Sequence, residues 1–122
     1  MLESPSHLPQ SPSRPLSFEE CLNLLATWRK RKTPLHFLLS TSSCFSQGYG
    51  ILDFVGPELF RVLTPEGRGQ LYGAFRPSFR FRFHEALHEA TDEHSYVPET
   101  LVIFLGGQER EGEDHINIYP II

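Results

Sequence analysis

The feature that most constrains the fold of this chain is a series of short apolar segments, starting at Leu35, that are joined by short turns. Residues 48–50, 56–58 and 65–69 are rich in Gly and Pro, which favour turns and bulges. Parallel neighbours need connections of about a dozen residues or more, so links of this length indicate antiparallel pairing. The pattern therefore predicts an antiparallel meander with strands at residues 35–45, 51–55, 59–64 and 70–75.

A helix is predicted before this meander. Ser17 and Glu20 have the spacing of a capping box, in which each side chain accepts a hydrogen bond from the backbone N–H of the other residue. The basic residues 29–32 suit the negative end of a helix, and we interpret them as a solvated helix end. Thr33 and Pro34 end the helix. Its apolar stripe comprises Phe18, Cys21, Leu22, Leu25 and Trp28.

The helix and the meander together predict the α+β class, with the helix packed on a strongly bent antiparallel sheet. Over about residues 17–83, this order of elements resembles the small Sm-like and SH3-like barrels. The resemblance implies a sheet that could close into a small partial barrel. Two late strands, at residues 100–105 and 115–119, are expected to complete the sheet.

The segment that follows the meander fits two templates. The phenylalanines of residues 79–83 alternate with arginines, as in a strand. However, Phe79, Phe83 and Leu87 also recur at helical spacing. We predict a strand through Phe83, followed by a second short helix near residues 84–91.

The chain is expected to consist of a lead-in and one domain. Residues 1–16 hold four Pro and four Ser, too little apolar surface to offset the entropy of ordering, so we predict a disordered lead-in. Residues 17–122 are predicted to form a single globular α+β domain. No apolar run could span a bilayer and no secretory pattern is visible, so we expect a cytoplasmic protein with no membrane partner. Cys21 and Cys44 are interpreted as small buried hydrophobic residues.

Charge is unevenly distributed along the sequence. Residues 1–83 hold ten of the eleven Lys and Arg but six of the fifteen acids, a net charge of +4, whereas residues 84–122 carry −8. Arg76, Arg80 and Arg82 form a candidate anion-binding set. Because the acidic half would repel nucleic acid, we do not expect it as a partner and predict no useful affinity at physiological salt. A protein partner or self-association is expected instead.

Residues 84–94 carry the sharpest chemical pattern, His84-Glu85-x-x-His88 followed by His94. On a helix, residues four apart share one face. The motif resembles the zincin signature and, with His94, the histidine spacing of the metzincin form. The resemblance implies that His84, His88 and His94 bind zinc. It also implies that Glu85 is the catalytic base that takes a proton from the metal-bound water.

The chain departs from the metzincin pattern at two positions. Thr91 replaces the Gly that turns the chain toward the third His, and Met1 is the sole Met, so there is no Met-turn. We therefore predict a small non-catalytic binding or regulatory domain without a cofactor. It would hold a protein partner or an anionic ligand on a sheet face or edge. The alternative is a zinc-dependent hydrolase built on residues 84–94.

Overall fold

The computed structural model describes residues 13–64, 70–88, 96–106 and 114–121. No helix among these residues is long and apolar enough to cross a membrane. In chain order, the described elements are β1 (Ser13–Leu16), α1 (Phe18–Arg31), β2 (Leu35–Ser40), β3 (Phe45–Val55), β4 (Leu59–Leu63), β5 (Gln70–Ala74), β6 (Arg80–His84), β7 (Leu87–His88), β8 (Tyr96–Val97), β9 (Thr100–Phe104) and β10 (His115–Pro120).

The helix α1 lies where the sequence predicts it. Ser17 Oγ accepts the Glu20 N–H at 3.0 Å, and Glu20 Oε1 accepts the Ser17 N–H at 2.9 Å, so the predicted capping box is confirmed. Lys32 ends the helix in the left-handed conformation, with φ at 54°. The face that α1 buries against the sheet comprises Cys21, Leu25 and Trp28.

Eight strands form one sheet in the order β1-β6-β9-β10-β2-β3-β4-β5. All neighbouring strands are antiparallel. The predicted meander of β2 to β5 is confirmed, and the two late strands β9 and β10 join it beside β2. The α+β class is confirmed as well. The sheet is open, with β1 and β5 at its two edges, so the structure does not support a partial barrel.

The core lies between α1 and one face of the sheet. Leu25, Leu35 and Ile118 are fully buried there. Phe37 on β2 stacks on Phe60 of β4 with ring centroids 6.2 Å apart, so the core extends from β2 to β4. Burial of this apolar layer is the main favourable term for the fold.

The two cysteines differ in environment. Cys21 is buried in α1 as predicted, and burial raises the pKa of its thiol to about 12, so the thiol stays protonated at neutral pH. The predicted burial of Cys44 is wrong, because this residue is exposed in the turn between β2 and β3. Its carbonyl oxygen accepts hydrogen bonds from Thr41, which closes that turn.

Strand β3 is longer than the sequence indicates. It runs through Gly48 and Gly50, where a turn or bulge is predicted, and the chain reverses instead at residues 41–44. A Cβ at Gly50 would clash with the carbonyl oxygen of Leu63. Gly50 therefore serves the close approach of β4 rather than a reversal of the chain.

The second short helix predicted near residues 84–91 is wrong for the part of this segment that the structure describes. Strand β6 continues through His84, and Leu87–His88 pairs with Tyr96–Val97 in a two-stranded ribbon. Residues 89–95 lie outside the described residues. Every residue of β6 pairs with β9, and this long-range ladder outweighs the helical spacing of the apolar residues.

Four residues of the predicted lead-in belong to the sheet. Ser13–Leu16 forms the edge strand β1, which pairs with β6, although the sequence assigns these residues to the disordered lead-in. The Arg14 guanidinium lies over the Phe83 ring, 5.7 Å from its centroid, which helps to hold this strand. The remainder of the predicted lead-in, residues 1–12, lies outside the described residues.

Candidate functional site

Helix α1 packs on one face of the sheet, and the opposite face carries a separate set of side chains, of which Val102 is only 8% exposed. Side chains alternate between the two faces along a strand, and directly paired residues of antiparallel neighbours share a face. Phe37 and Ile118 are buried with α1, so the residues next to them in β2 and β10 point to the other side. We call that side the open face.

The open face is formed by alternate residues of five adjacent strands. They are Arg80, Arg82 and His84 of β6; Thr100, Val102 and Phe104 of β9; His115, Asn117 and Tyr119 of β10; His36, Leu38 and Ser40 of β2; and Phe45, Gln47, Tyr49 and Ile51 of β3. None of these sixteen side chains is a carboxylate, although the chain has fifteen Asp and Glu. The face instead combines basic, aromatic and amide groups, which suits an anionic ligand.

The structure separates the three arginines of the predicted anion-binding set. Arg80 and Arg82 share the open face, where Arg82 Nε donates to Ser13 Oγ at 3.2 Å. Arg76 follows β5 and lines a recess on the helix side with Phe18. Of the three, Arg80 and Arg82 can therefore act on one ligand, whereas Arg76 cannot join them. Anion binding by these residues stays a prediction.

The structure places His84 and His88 on strands rather than on the predicted helix. His84 is the last residue of β6, and burial, with the nearby Arg82 charge, lowers the pKa of its ring. Glu85 follows as an exposed residue, the His88 backbone belongs to β7, and His94 lies outside the described residues. Within the described part of the chain, no three His, Cys, Asp or Glu residues form a group that could hold a metal. The zinc site, with Glu85 as its base, stays a prediction.

A cleft of about 730 Å³ lies where the end of α1 meets β3 and β4. Tyr49, Ile51 and Leu63 contribute large apolar side chains to this cleft, with exposed fractions of 53, 38 and 37%. Apolar side chains that remain this exposed together are typical of binding sites. The basic residues that line the cleft are Arg29, Lys30 and Lys32.

Among the described residues that line the cleft, Asp53 supplies the carboxylate, and this carboxylate is paired. Arg61 Nε and Nη2 each lie 2.8 Å from a carboxylate oxygen of Asp53, and hydrogen bonding to this guanidinium lowers the pKa of the Asp53 carboxyl. Arg29 Nε donates to the Asp53 carbonyl oxygen at 3.0 Å and so attaches the end of α1 to β3. Because Asp53 is neutralised by Arg61, the cleft keeps the positive charge of its basic rim.

Lys32 has an uncommon backbone conformation for its residue type. Its φ of 54° lies in the left-handed region, where helix ends usually have Gly or Asn. A side chain in this region costs about 1 kcal/mol relative to an ordinary conformation. The lysine places an ammonium-bearing side chain at the cleft, which a glycine could not supply.

A second recess, of about 640 Å³, adjoins the cleft on the open face, and Tyr49 lines both. His36 and Gln47 also line it, and the His36 ring is held at both nitrogens. Its Nδ1 lies 2.7 Å from the Tyr119 hydroxyl, and its Nε2 lies 3.2 Å from Gln47 Oε1. With the amide oxygen as acceptor, Nε2 carries the proton and Nδ1 accepts from Tyr119. These two hydrogen bonds fix the orientation of the His36 ring in the recess.

Sequence reasoning misses the cleft for two reasons. It interprets residues 29–32 as a solvated helix end, and it assigns Tyr49 to a turn. The available signal is that Ile51 and Leu63 are apolar at strand positions that face away from the core. Only the observed pairing of β3 with β4 brings these side chains together beside the end of α1.

No family model, curated protein or solved structure matches this chain. Because fold alone does not define function, the site residues must support any functional assignment.

Proposed function

We propose that this protein is a non-catalytic binding domain whose cleft holds an acidic, partly apolar segment of a partner protein. The observation that carries the proposal is the combination of an exposed apolar floor with a basic rim in one cleft of about 730 Å³. A cleft of this size is within the usual range for ligand pockets.

The apolar floor supports a peptide ligand. Tyr49 is exposed and lines both the cleft and the neighbouring recess, and tyrosine is enriched among residues that dominate binding energy. Ile51 and Leu63 lie beside it on paired strands, so one apolar side chain of a ligand can contact all three. Covering these groups removes apolar surface from water, which stabilises the complex by roughly 25 cal/mol per Å².

The basic rim supports an acidic ligand. Arg29, Lys30 and Lys32 line the cleft, and the carboxylate of Asp53 is already paired with Arg61. Complementary charges accelerate association and select against basic partners. A Glu or Asp flanking an apolar anchor would therefore lie at the rim while the anchor covers Tyr49.

Binding of synthetic peptides tests this proposal. One fluorescein-labelled peptide has Glu alternating with Leu and Phe, and the matched peptide has Lys in place of every Glu. We expect fluorescence anisotropy to show binding of the acidic peptide, weakened by salt, and no binding of the basic one. Equal binding of both peptides, or of neither, would contradict the proposal.

Substitutions in the cleft test whether the acidic peptide binds there. Tyr49→Ala should lower the affinity for the acidic peptide by at least about tenfold, as expected for an aromatic anchor. Lys32→Gly should weaken peptide binding by about two- to fivefold, the effect of one exposed ion pair. The same variant should preserve or raise the unfolding temperature, because glycine adopts the left-handed backbone conformation without steric cost. Arg31→Gln is the matched control, because Arg31 is exposed on the same turn but does not line the cleft. If Arg31→Gln weakened binding as much as Lys32→Gly, the cleft would not be the site.

A further inference from the structure

We propose that the recess beside the cleft is a second subsite for the bound peptide, in which the Gln47 side-chain amide donates hydrogen bonds to a side-chain oxygen of that peptide. In an acidic ligand, this oxygen belongs to the carboxylate of a Glu residue. The assignment rests on the proposed function, since it concerns the same ligand, and it names the residue that selects one of the ligand's side chains. The recess is lined by His36, Gln47, Gly48, Tyr49 and Ile121.

The recess is open to a ligand and continuous with the cleft. Gln47 is exposed, and the exposed fractions of Tyr49 and Ile121 are 53 and 43%. Tyr49 lines both the recess and the cleft. A peptide whose apolar anchor covers the Tyr49 ring therefore reaches the recess with a neighbouring residue.

Strand pairing fixes the positions of the polar groups at the recess. His36 of β2 is directly paired with Tyr119 of β10 on one side and with Tyr49 of β3 on the other. Gln47 lies two residues before Tyr49 on the same strand, so its side chain points to the same face. The ring centroids of His36 and Tyr119 are 5.1 Å apart. Three adjacent strands therefore carry the hydrogen-bonding groups, and the backbone ladders hold them in register.

The direction of the hydrogen bonds determines what Gln47 offers to a ligand. An amide oxygen only accepts, so the His36 Nε2 that lies 3.2 Å from Gln47 Oε1 carries the proton. In the neutral ring, Nδ1 then accepts the Tyr119 O–H at 2.7 Å. The amide oxygen of Gln47 is thereby occupied, and its two N–H groups have no acceptor within the described part of the chain.

Two amide N–H groups select for an oxygen acceptor. A carboxylate accepts from them, whereas an ammonium group only donates and finds no partner there. Hydrogen bonds to an ionised group are stronger than those between neutral groups, so Glu should contribute more than Gln. An apolar side chain of the same length would shield the amide from water without replacing the lost hydrogen bonds, which costs free energy.

Peptides that differ at one position test this subsite. In the fluorescein-labelled acidic peptide, each Glu is replaced in turn by Gln or by Met, which has a similar length but no side-chain oxygen. Both replacements remove the same charge, so their comparison isolates the hydrogen bond. We expect one position at which the Met peptide binds about three- to tenfold more weakly than the Gln peptide, and equal binding of the two at the other positions.

Variants of the protein assign this difference to Gln47. In Gln47→Met, the Gln and Met peptides should bind equally at the selective position, as in a double-mutant cycle whose interaction has been removed. In Gln47→Glu, the carboxylate still accepts from His36 but offers no donor, so Lys should bind better than Glu at that position. Ser46→Ala is the matched control, because Ser46 is exposed on the same strand but points to the other face. It should leave every affinity unchanged.

The tautomer of His36 tests the hydrogen-bond direction without any ligand. Ring ¹⁵N chemical shifts, measured at a pH at which the imidazole is neutral, distinguish a protonated Nε2 from a protonated Nδ1. We expect the proton on Nε2. A proton on Nδ1 would mean that the amide donates to His36 and turns its oxygen toward the recess, and would overturn the assignment.

Failure of the subsite and failure of the proposed function give different results. No binding of the acidic peptide would overturn both. Binding without any difference between the Gln and Met peptides, or with a difference that Gln47→Met retains, would overturn the subsite alone. The effects of Tyr49→Ala and Lys32→Gly would then still locate the peptide in the cleft.

Discussion

At the scale of single residues, His84 shows how an edge of the open face responds to pH. Burial and, second, the Arg82 charge favour the neutral ring and lower the pKa of His84 in the folded chain. The unfolded chain therefore binds this proton more readily than the folded chain. The contribution of the neutral ring to the free energy of unfolding is fully present above the ordinary histidine pKa of about 6.5. This contribution is lost as the pH falls below that value.

His84→Gln should flatten this part of the pH dependence. We expect the wild-type protein to lose more of its free energy of unfolding between about pH 7.5 and pH 5 than the variant does, since Gln takes up no proton. Urea unfolding of both proteins at the two pH values measures the difference. Identical losses would show that His84 does not carry the predicted sensitivity.

At the scale of elements, the approach of β3 to β4 depends on one glycine. Gly50 lies in β3 where an added Cβ would clash with the Leu63 carbonyl oxygen and lie 2.7 Å from Val62 Cγ1. At Gly48, two residues earlier in the same strand, an added Cβ has no neighbour within 4 Å. The two positions therefore form a matched pair.

Gly50→Ala should lower the free energy of unfolding by about 1–3 kcal/mol, the usual cost of adding a methyl group to a close contact. Gly48→Ala should change it little, because the added carbon meets open space. Chemical denaturation of both variants tests this difference. Equal effects at the two positions would mean that β4 does not approach β3 as closely as described.

The elements also show which features a single sequence can predict. Ser17 and Glu20 specify the start of α1 through local hydrogen bonds, and the prediction is confirmed because no distant residue is needed. The segment around Phe83 fits both a helix and a strand locally, and pairing with β9 decides for a strand over Arg80–His84. That pairing joins residues far apart in sequence, so neither periodicity nor propensity could reveal it.

At the scale of the whole molecule, the candidate sites arise from the order of the strands. Placing β6, β9 and β10 beside β2 brings Arg80 and Arg82 onto the same face as Tyr49, although the sequence offers no signal for this arrangement. Tyr49 and Ile51 of β3 then line one cleft with Arg29, Lys30 and Lys32 from the end of α1. The sequence indicates the types of residue available for binding, and the topology determines which of them act together.

The central claim is that the cleft at the end of α1 holds an acidic, partly apolar peptide. Titration of the ¹⁵N-labelled protein with the Glu-Leu-Phe peptide, followed by amide chemical shifts, tests it most directly. We predict saturable shifts concentrated at residues 29–32, 49–53 and 63–64, with little change at Phe18 or Phe75 on the helix side of the sheet. Absence of shifts, or shifts centred on Phe18 and Phe75, would contradict the claim.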